Sequence, residues 1–312
     1  MKLFYSDVFE LPLPGGHRFP MSKYTLLRER IAETLVDRGA QLLLPPAATD
    51  QQILLAHTRE YLDQVKYGGL SQLEQRRIGF PWSLKMVERS RRSSGATIAA
   101  AEAALADGIA FNLAGGTHHA FADRGQGFCV FNDVCVAARV LQASGLIQRA
   151  MVIDCDVHQG NGTASITDGD DSIFTFSMQC ESNFPFRKTD GDLDINLPAG
   201  TADEAYLAAM SEGLDRSFAS FKPDIVFYLA GADPYDGDRL GQLAVSKAGL
   251  GERDCLLFHR CFEAGFPVAV SMAGGYANDV NDIVDIHFST VEAALELSEG
   301  CDLPPKRVQS QD

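Results

Sequence analysis

The sequence predicts an α/β fold: a single-domain, doubly wound, mainly parallel sheet flanked by helices. Three observations carry this expectation. From residue 110 onward, apolar runs of strand length alternate with longer helical stretches, the pattern of parallel strands covered on both faces. The chain has 312 residues, 46% hydrophobic and 22% charged, which is an ordinary folded composition long enough for one large core. No repeat, low-complexity segment or Gly/Ser- or Pro-rich linker divides it. Residues 1–299 are therefore expected to form one domain, and residues 300–312, with Pro304 and Pro305, a flexible tail.

Taken in order, Leu3–Tyr5 reads as an edge strand. A helix is expected from Ser22 as N-cap, with Leu26, Leu27, Ile31 and Leu35 as its apolar face and Gly39 as its stop. Leu42–Leu44 is a short apolar run closed by Pro45-Pro46. The Ala-rich stretch Gly95–Ala106 reads as a tightly packed helix. Strands follow at Ala110–Ala114, Ala150–Cys155, Ile173–Ser177, Ile225–Ala230 and Val268–Met272, and helices at Asp133–Ala143, Asp203–Ser220, Arg253–Ala264 and Val280–Leu297.

The charge balance narrows the function. Against 42 Asp+Glu stand 27 Lys+Arg, a formal charge of -15, which repels phosphate backbones and argues against nucleic acid as a partner. Between positions 74 and 92, Arg76, Arg77, Lys85, Arg89, Arg91 and Arg92 make a locally basic stretch, read as solvated surface. No apolar run approaches the roughly 20 residues of a membrane span. The opening MKLFYSDVFELPLP lacks the apolar stretch and cleavage site of a signal peptide. The seven cysteines are odd in number and include no C-x-x-C pair, so reduced thiols in a cytoplasmic protein are expected.

Ligands of open α/β sheets bind outside the carboxyl ends of the strands. Four such ends carry chemistry here: Gly115-Gly116-Thr117-His118-His119, Asp154 through Gly162, Gly231-Ala232-Asp233, and Ala273-Gly274-Gly275-Tyr276. Side chains i, i+2 and i+4 of a strand face one way, so Asp154, Asp156 and His158 share a face while Cys155 and Val157 point into packing. Two carboxylates and an imidazole are half of a metal site, with Asp233 a candidate to complete it. The competing account of that segment alone is a buried Asp–His pair with acids capping the next helix.

His118 and His119 follow a Gly-Gly turn at a strand end rather than lying on an exposed helix. Facing a metal, one imidazole can be a neutral base while the other is held charged by a carboxylate such as Asp154. Tyr276 is either a half-buried aromatic or an O–H donor to a developing oxyanion. His17, His57, His259 and His287 are read as structural. No G-x-S-x-G elbow, Walker A loop or G-x-G-x-x-G occurs, which removes the main support for serine hydrolase, P-loop and dinucleotide readings.

At these motifs the sequence resembles the zinc-dependent histone deacetylase family, with its bacterial deacetylase and acetylpolyamine amidohydrolase relatives. The blocks are GGTHHAFADRGQGFCVFND, VIDCDVHQGNGT, YLAGADPYDGDRLG and SMAGGY, spread from Ser94 to Tyr276, with HRFPMSKY and AHTREYLDQV similar to the opening region. FPWSLKMVERSRRSSGATIAA, DRGQGFC and GDRLGQLAVSKAG resemble the class IV branch most. The resemblance implies the arginase/deacetylase fold, with residues 1–299 as the catalytic domain. It makes Asp156, His158 and Asp233 the metal ligands. His119 matches the general base and acid, His118 its electrostatic partner and Asp154 the acid that pairs with His118. Asn161 stands where many members have an aspartate. Tyr276 matches the transition-state tyrosine, and Gly127 a residue whose carbonyl receives the substrate amide N–H. Phe128 and Phe184 match the aromatic walls of an acyl-lysine tunnel, and Leu240 an apolar lining position. Asp154 and Ser177 resemble part of a potassium site.

The implied cofactor is Zn²⁺, with Fe²⁺ suited to the same mixed ligands and K⁺ as a structural ion. The expected activity is hydrolytic removal of acyl groups from lysine side chains of a protein or peptide, extending under the class IV resemblance to long fatty chains. Phe19–Met21 and Leu42–Leu44 are expected either to line or to plug the cavity that such chains need. The rivals are an amidohydrolase acting on acylated small amines such as acetylpolyamines, a catalytically weak acyl-lysine binding protein, and a di-manganese hydrolase whose extra acids are not evident. The oligomeric state is not assigned by the sequence.

Overall fold

The computed structural model describes residues 1–9 and 11–300. The chain runs β1 (Lys2–Phe4), α1 (Ser22–Thr34), β2 (Gln41–Leu43), α2 (Asp50–Ile53), α3 (Arg59–Tyr67), α4 (Gln72–Ile78), α5 (Leu84–Asp107), β3 (Ile109–Asn112), α6 (Asp133–Ala143), β4 (Ala150–Asp154), α7 (Asn161–Thr167), β5 (Ile173–Cys180), β6 (Leu193–Leu197), α8 (Asp203–Ser220), β7 (Ile225–Leu229), α9 (Lys247–Ala264), β8 (Val268–Ser271) and α10 (Val280–Gly300). The strands form one sheet in the order β2-β1-β3-β8-β7-β4-β5-β6, every pairing parallel.

Period-two alternation divides the core into two layers. Leu3, Phe111, Met151, Ile153, Val226, Tyr228 and Val270 point to one face, where α1, α8, α9 and α10 cover them. Phe4, Ala110, Val152, Ile225, Phe227, Leu229 and Ala269 point to the other, under α3, α5 and α6. Because both faces are buried, the central strands β3, β8, β7 and β4 read as nearly unbroken apolar runs, which is why they are visible in sequence. The alanines of α5 let it lie close against the sheet and α6: Ala96, Ala100, Ala101 and Ala104 are all buried.

Several expectations are corrected. Lys2–Phe4 is not an edge strand; β1 lies between β2 and β3, and β2 forms the edge. Ser22 is the first residue of α1 rather than its cap; Met21 is the N-cap and supplies no side-chain hydrogen bond. A 3-10 turn at Val36–Arg38 carries the chain to Gly39, whose φ of 98° ends it. The Ala-rich helix starts at Leu84, where Ser83 caps it by accepting from Met86 N–H, not at Gly95. The basic stretch is not uniformly solvated, because Arg89 is buried. Strand β6 and helices α2, α3, α4 and α7 had no counterpart in the sequence reading. Of the expected tail, Gly300 closes α10, and residues 301–312, Cys301 included, lie outside the described residues. The other six cysteines are free thiols. Among the described residues no helix is long and apolar enough to cross a membrane.

Candidate active site

The four motif-bearing ends belong to β3, β8, β7 and β4, which are consecutive in the sheet. Residues far apart in sequence therefore converge on one spot above the sheet. The regular strand β4 ends at Asp154, yet the alternation continues beyond it. Asp154, Asp156 and His158 face the site, while Cys155 and Val157 join the core beneath.

Asp156, His158 and Asp233 each offer a donor atom, and these atoms all lie within 4.8 Å of one another. His158 Nδ1 stands 2.9 Å from Asp156 Oδ1 and 3.2 Å from Asp233 Oδ2. The carboxylates are oriented from outside: Val157 N–H donates to Asp233 Oδ1 at 2.9 Å, and Gly274 N–H to Asp156 Oδ2 at 2.8 Å. Gly274 has no room for a side chain, since a Cβ there would stand 2.0 Å from Asp233 Oδ2. That oxygen is buried and accepts no hydrogen bond of acceptable geometry. Burial and then the charge of Asp156 push Asp233 up to about 7. Asp156 is held well below the carboxylate range, because His118 and His158 outweigh its burial. Two packed carboxylates with an orphaned oxygen and one imidazole fit a divalent cation, and the mixed N/O set suits Zn²⁺ or Fe²⁺.

The two histidines differ in what meets Nδ1. His118 Nδ1 is 2.6 Å from Asp154 Oδ2. Burial would lower His118, but the charges of Asp154 and Asp156 and the hydrogen bond to Asp154 raise it to about 9, so it is an imidazolium at neutral pH. His119 Nδ1 instead meets Asn161 Oδ1 at 2.9 Å. An amide oxygen only accepts, so Nδ1 carries the hydrogen and Nε2 keeps its lone pair. Burial, reinforced by the positive charges of His118 and His158, holds His119 well below its ordinary value. The pair thus offers a neutral base beside a fixed cation.

Tyr276 is buried, its ring centroid 6.4 Å from His158 and 5.8 Å from Phe128. Together with His119, Gly127, Phe128 and Asp156 it lines a cavity of about 70 Å³. Phe19 lines this cavity too, whereas Leu42–Leu44 lies at the sheet edge, away from it. Phe184 packs its ring edge-on to His119 at 4.9 Å. Gly127 adopts φ 57°, and a Cβ there would meet His119 Cδ2 at 2.6 Å. Leu240 is half-buried on the β7–α9 loop, tied by its carbonyl to Asn183 Nδ2 at 2.7 Å, and does not line the cavity. Ser177 is the β5 partner of Asp154 across the sheet, and its buried hydroxyl has no hydrogen-bond partner. Among the remaining histidines, His17 bonds Gly79 and lies 6.0 Å from the Phe128 ring, His57 accepts from Asn132 N–H, and His287 is buried in α10.

The supports of the site escaped the sequence reading. Asp133, at the start of α6, accepts from Thr117 N–H at 2.7 Å and Gly116 N–H at 3.1 Å, and so shapes the turn carrying the His pair. Arg253, fully buried in α9, donates to Gly231 O at 2.7 Å beside Asp233. Asp238 accepts from Tyr276 N–H at 2.5 Å. Lys23 of α1 donates to Ala273 O and Gly275 O, both at 3.3 Å, on the turn before Tyr276. Ala273 itself sits at φ 55°, a left-handed conformation held without glycine. A buried Lys or Arg aimed at carbonyls looks in sequence like any helical cation.

Comparison with known proteins gives a consistent answer. A family model described as the histone deacetylase domain matches residues 17–291. An uncharacterised protein of Picosynechococcus is 43% identical over 293 residues, 94% of this chain and 98% of that one. Histone deacetylase 2 of Arabidopsis thaliana is 29% identical over 300 residues, covering 88% of this chain and 74% of its own length. A crystal structure described as a histone deacetylase homologue complexed with SAHA superposes with a TM-score of 0.79 at 24% identity, over 99% of this chain and 91% of that one, which shows the shared fold.

Proposed function

The chain belongs to the histone deacetylase domain family and is a hydrolase acting on amides; from that premise we propose that it removes acyl groups from lysine side chains of a protein or peptide. The observation that carries the proposal is the convergence at four adjacent strand ends of a three-donor set, a divided histidine pair and Tyr276. The family is generally zinc-dependent, and we assign a zinc ion, or Fe²⁺, to Asp156, His158 and Asp233. When bound, that ion supplies a Lewis acid for the scissile carbonyl and for the attacking water.

The protein groups divide the remaining work. His119 Nε2 takes the proton of the attacking water and returns it to the leaving amine. His118, kept charged by Asp154, lowers the energy of negative charge growing beside it without giving up its proton. The Tyr276 hydroxyl donates to the oxyanion. Gly127 O receives the substrate amide N–H, while Phe128 and Phe184 flank the lysine stem, with Leu240 further out on the rim. Asp154 and Ser177 are the side-chain part of a potassium site, a reading supported by the unpartnered Ser177 hydroxyl.

Residues 1–299 act as the catalytic domain, and free thiols support a cytoplasmic setting. A cavity of about 70 Å³ is under half of one that takes benzene, roughly 150 Å³, so it favours short acyl groups and a fatty chain requires it to open. The class IV placement rests on the sequence blocks quoted above. The deciding experiment measures metal content and turnover on acyl-lysine peptides, from acetyl to myristoyl, beside acylpolyamines. Faster turnover of acylpolyamines would replace the lysine reading, and a metal-loaded protein with no turnover would leave an acyl-lysine binding protein.

A further inference from the structure

The rim of the cavity carries a charge opposite to that of the whole chain. Arg239 Nε donates to Tyr276 O at 2.8 Å and its Nη2 to Arg18 O at 3.1 Å, so its guanidinium bridges the turn bearing Tyr276 and the segment bearing Phe19. Arg18 is exposed and stands between His17, 6.0 Å from the Phe128 ring, and Phe19, which lines the cavity. On another side, Gly127 N–H donates to Arg77 O at 2.9 Å, and Arg77 too is exposed. Three arginines are thus tied to the segments of Phe19, Gly127 and Tyr276. A fourth, Arg187, lies on the loop that brings Phe184 to His119, next to Phe186, which is 89% exposed.

Among the described residues none of these four arginines has a carboxylate at ion-pair distance. The acids of the same loops are spent or held elsewhere. Asp238 accepts from the N–H groups of Tyr276, Leu240 and Gly241. Asp123 pairs with Arg124 at 2.8 Å, and Asp279 accepts from Asn281. Three acids are left exposed: Glu181, Asp190 and Asp236. The N–H of Glu181 bonds Leu197 O, that of Asp236 bonds Val245 O, and Asp190 follows Thr189, whose N–H bonds Gln159. None of those partners lines the cavity.

With 42 Asp+Glu against 27 Lys+Arg, the chain as a whole attracts cations from a distance. Exposed charges are screened over about 8 Å at physiological ionic strength, so a residue bound at the rim meets the rim and not the average. An extended peptide spans roughly 3.5 Å per residue, which puts the first two or three neighbours of a bound acyl-lysine within that reach. An unpaired guanidinium presents the planar fork that matches a carboxylate.

We propose that this rim is a recognition surface for acidic peptides: Arg18, Arg77 and Arg239 select an acyl-lysine flanked by Asp or Glu and disfavour one in a lysine- or arginine-rich segment. The proposal rests on the lysine deacylase reading and specifies its substrate class.

The test uses the metal-loaded full chain and acetyl-lysine peptides of one length, whose neighbours on both sides are Glu, Gln or Lys. Exposed charge pairs are individually weak, roughly two- to fivefold each, so three arginines predict kcat/KM for the Glu peptide above that for the Lys peptide by about tenfold or more at low salt. The difference should lie in KM and shrink in 0.5 M NaCl, roughly three times the physiological ionic strength. Arg18→Glu/Arg77→Glu should bring the ratio of Glu to Lys peptide to one or below. Arg239 is left intact because it holds the Tyr276 carbonyl. Should the double reversal fail to fold, Arg18→Gln/Arg77→Gln should still lower the ratio several-fold. A wild-type ratio near one or in favour of the Lys peptide overturns the proposal, and so does a preference for Glu that salt and both double variants leave unchanged.

A chain that hydrolyses all three peptides equally loses the rim alone. A chain that hydrolyses none loses the lysine reading; fluorescence anisotropy with labelled Glu and Lys peptides on the wild type and Arg18→Gln/Arg77→Gln then decides the rim separately. Tighter binding of the Glu peptide, weakened in the variant, supports it, and equal binding overturns it.

Discussion

Asn161→Asp puts a negative charge where His119 now meets an amide oxygen, 2.9 Å from Nδ1. In the wild type, burial and the neighbouring positive charges hold His119 well below its ordinary value, and the His118 ring lies only 4.1 Å away. An opposite charge at hydrogen-bond distance raises an imidazole by roughly 1–3 units. Asn161 is itself buried, so part of the gain is spent on desolvating the new carboxylate, and a rise of about 1–2 units is expected. The assay is the pH profile of kcat/KM on an acetyl-lysine peptide. Its acid limb reports the deprotonation of His119, and the variant's limb should move to higher pH by that amount. Asn161→Leu supplies the control: it leaves Nδ1–H without an acceptor, so kcat should fall with no upward move of the limb. An unmoved acid limb in a folded, metal-loaded Asn161→Asp protein would refute the assignment of His119 as the titrating base.

The remaining predictions concern the metal, the base and the fold. His119→Ala should lower kcat by at least about 10²-fold while metal content by elemental analysis stays at the wild-type level. The Asp156→Ala/Asp233→Ala double variant should hold almost no metal after dialysis, because a single imidazole remains of the three donors; full occupancy would exclude the triad. His57 is pressed down to about 4 by burial. Above pH 6.5 it is neutral folded or unfolded, so its contribution is fully present; from 6.5 down to 4 the unfolded chain binds the proton that the folded chain refuses, and stability falls by about 3 kcal/mol. Denaturant titrations at pH 7 and pH 4.5 should show this loss, and His57→Gln, which keeps an acceptor for Asn132 N–H, should show less of it.

What the sequence discloses follows the physics of burial. The central strands are legible because both their faces are covered, leaving no polar residue to interrupt them. Strand β6 is half-exposed on the opposite edge from β2, and its segment LDINL alternates with polar residues, which conceals it. Helices α2 and α4 are only 4 and 7 residues long, too short for periodicity. Their signal is a capping box in each case, Thr49 with Gln52 and Ser71 with Glu74, and spacing alone would reveal it. The placement of β1 inside the sheet depends on which strand pairs beyond it, which no local pattern encodes. Arg89 and Lys23 illustrate the same limit among cations. Each lies in or near a charged segment that reads as surface, and only the tertiary packing brings Arg89 onto Tyr24 and Lys23 onto the carbonyls of Ala273 and Gly275.

The division of labour between His118 and His119 shows where residue type stops being informative. The two are adjacent, chemically identical and equally buried, so neither composition nor spacing separates them. Their difference lies in one atom apiece. A carboxylate oxygen of Asp154, at the end of β4, meets His118 and favours the protonated ring; an amide oxygen of Asn161, at the start of α7, meets His119 and favours the neutral one. Once His118 is charged, its proximity further disfavours a proton on His119, so the first assignment enforces the second. The pair therefore works as an electrostatic unit: Asp154 bonds directly to only one ring yet helps set the protonation of both. Substituting Asp154 would then disturb the base as well as the cation, although no Asp154 atom is hydrogen-bonded to His119.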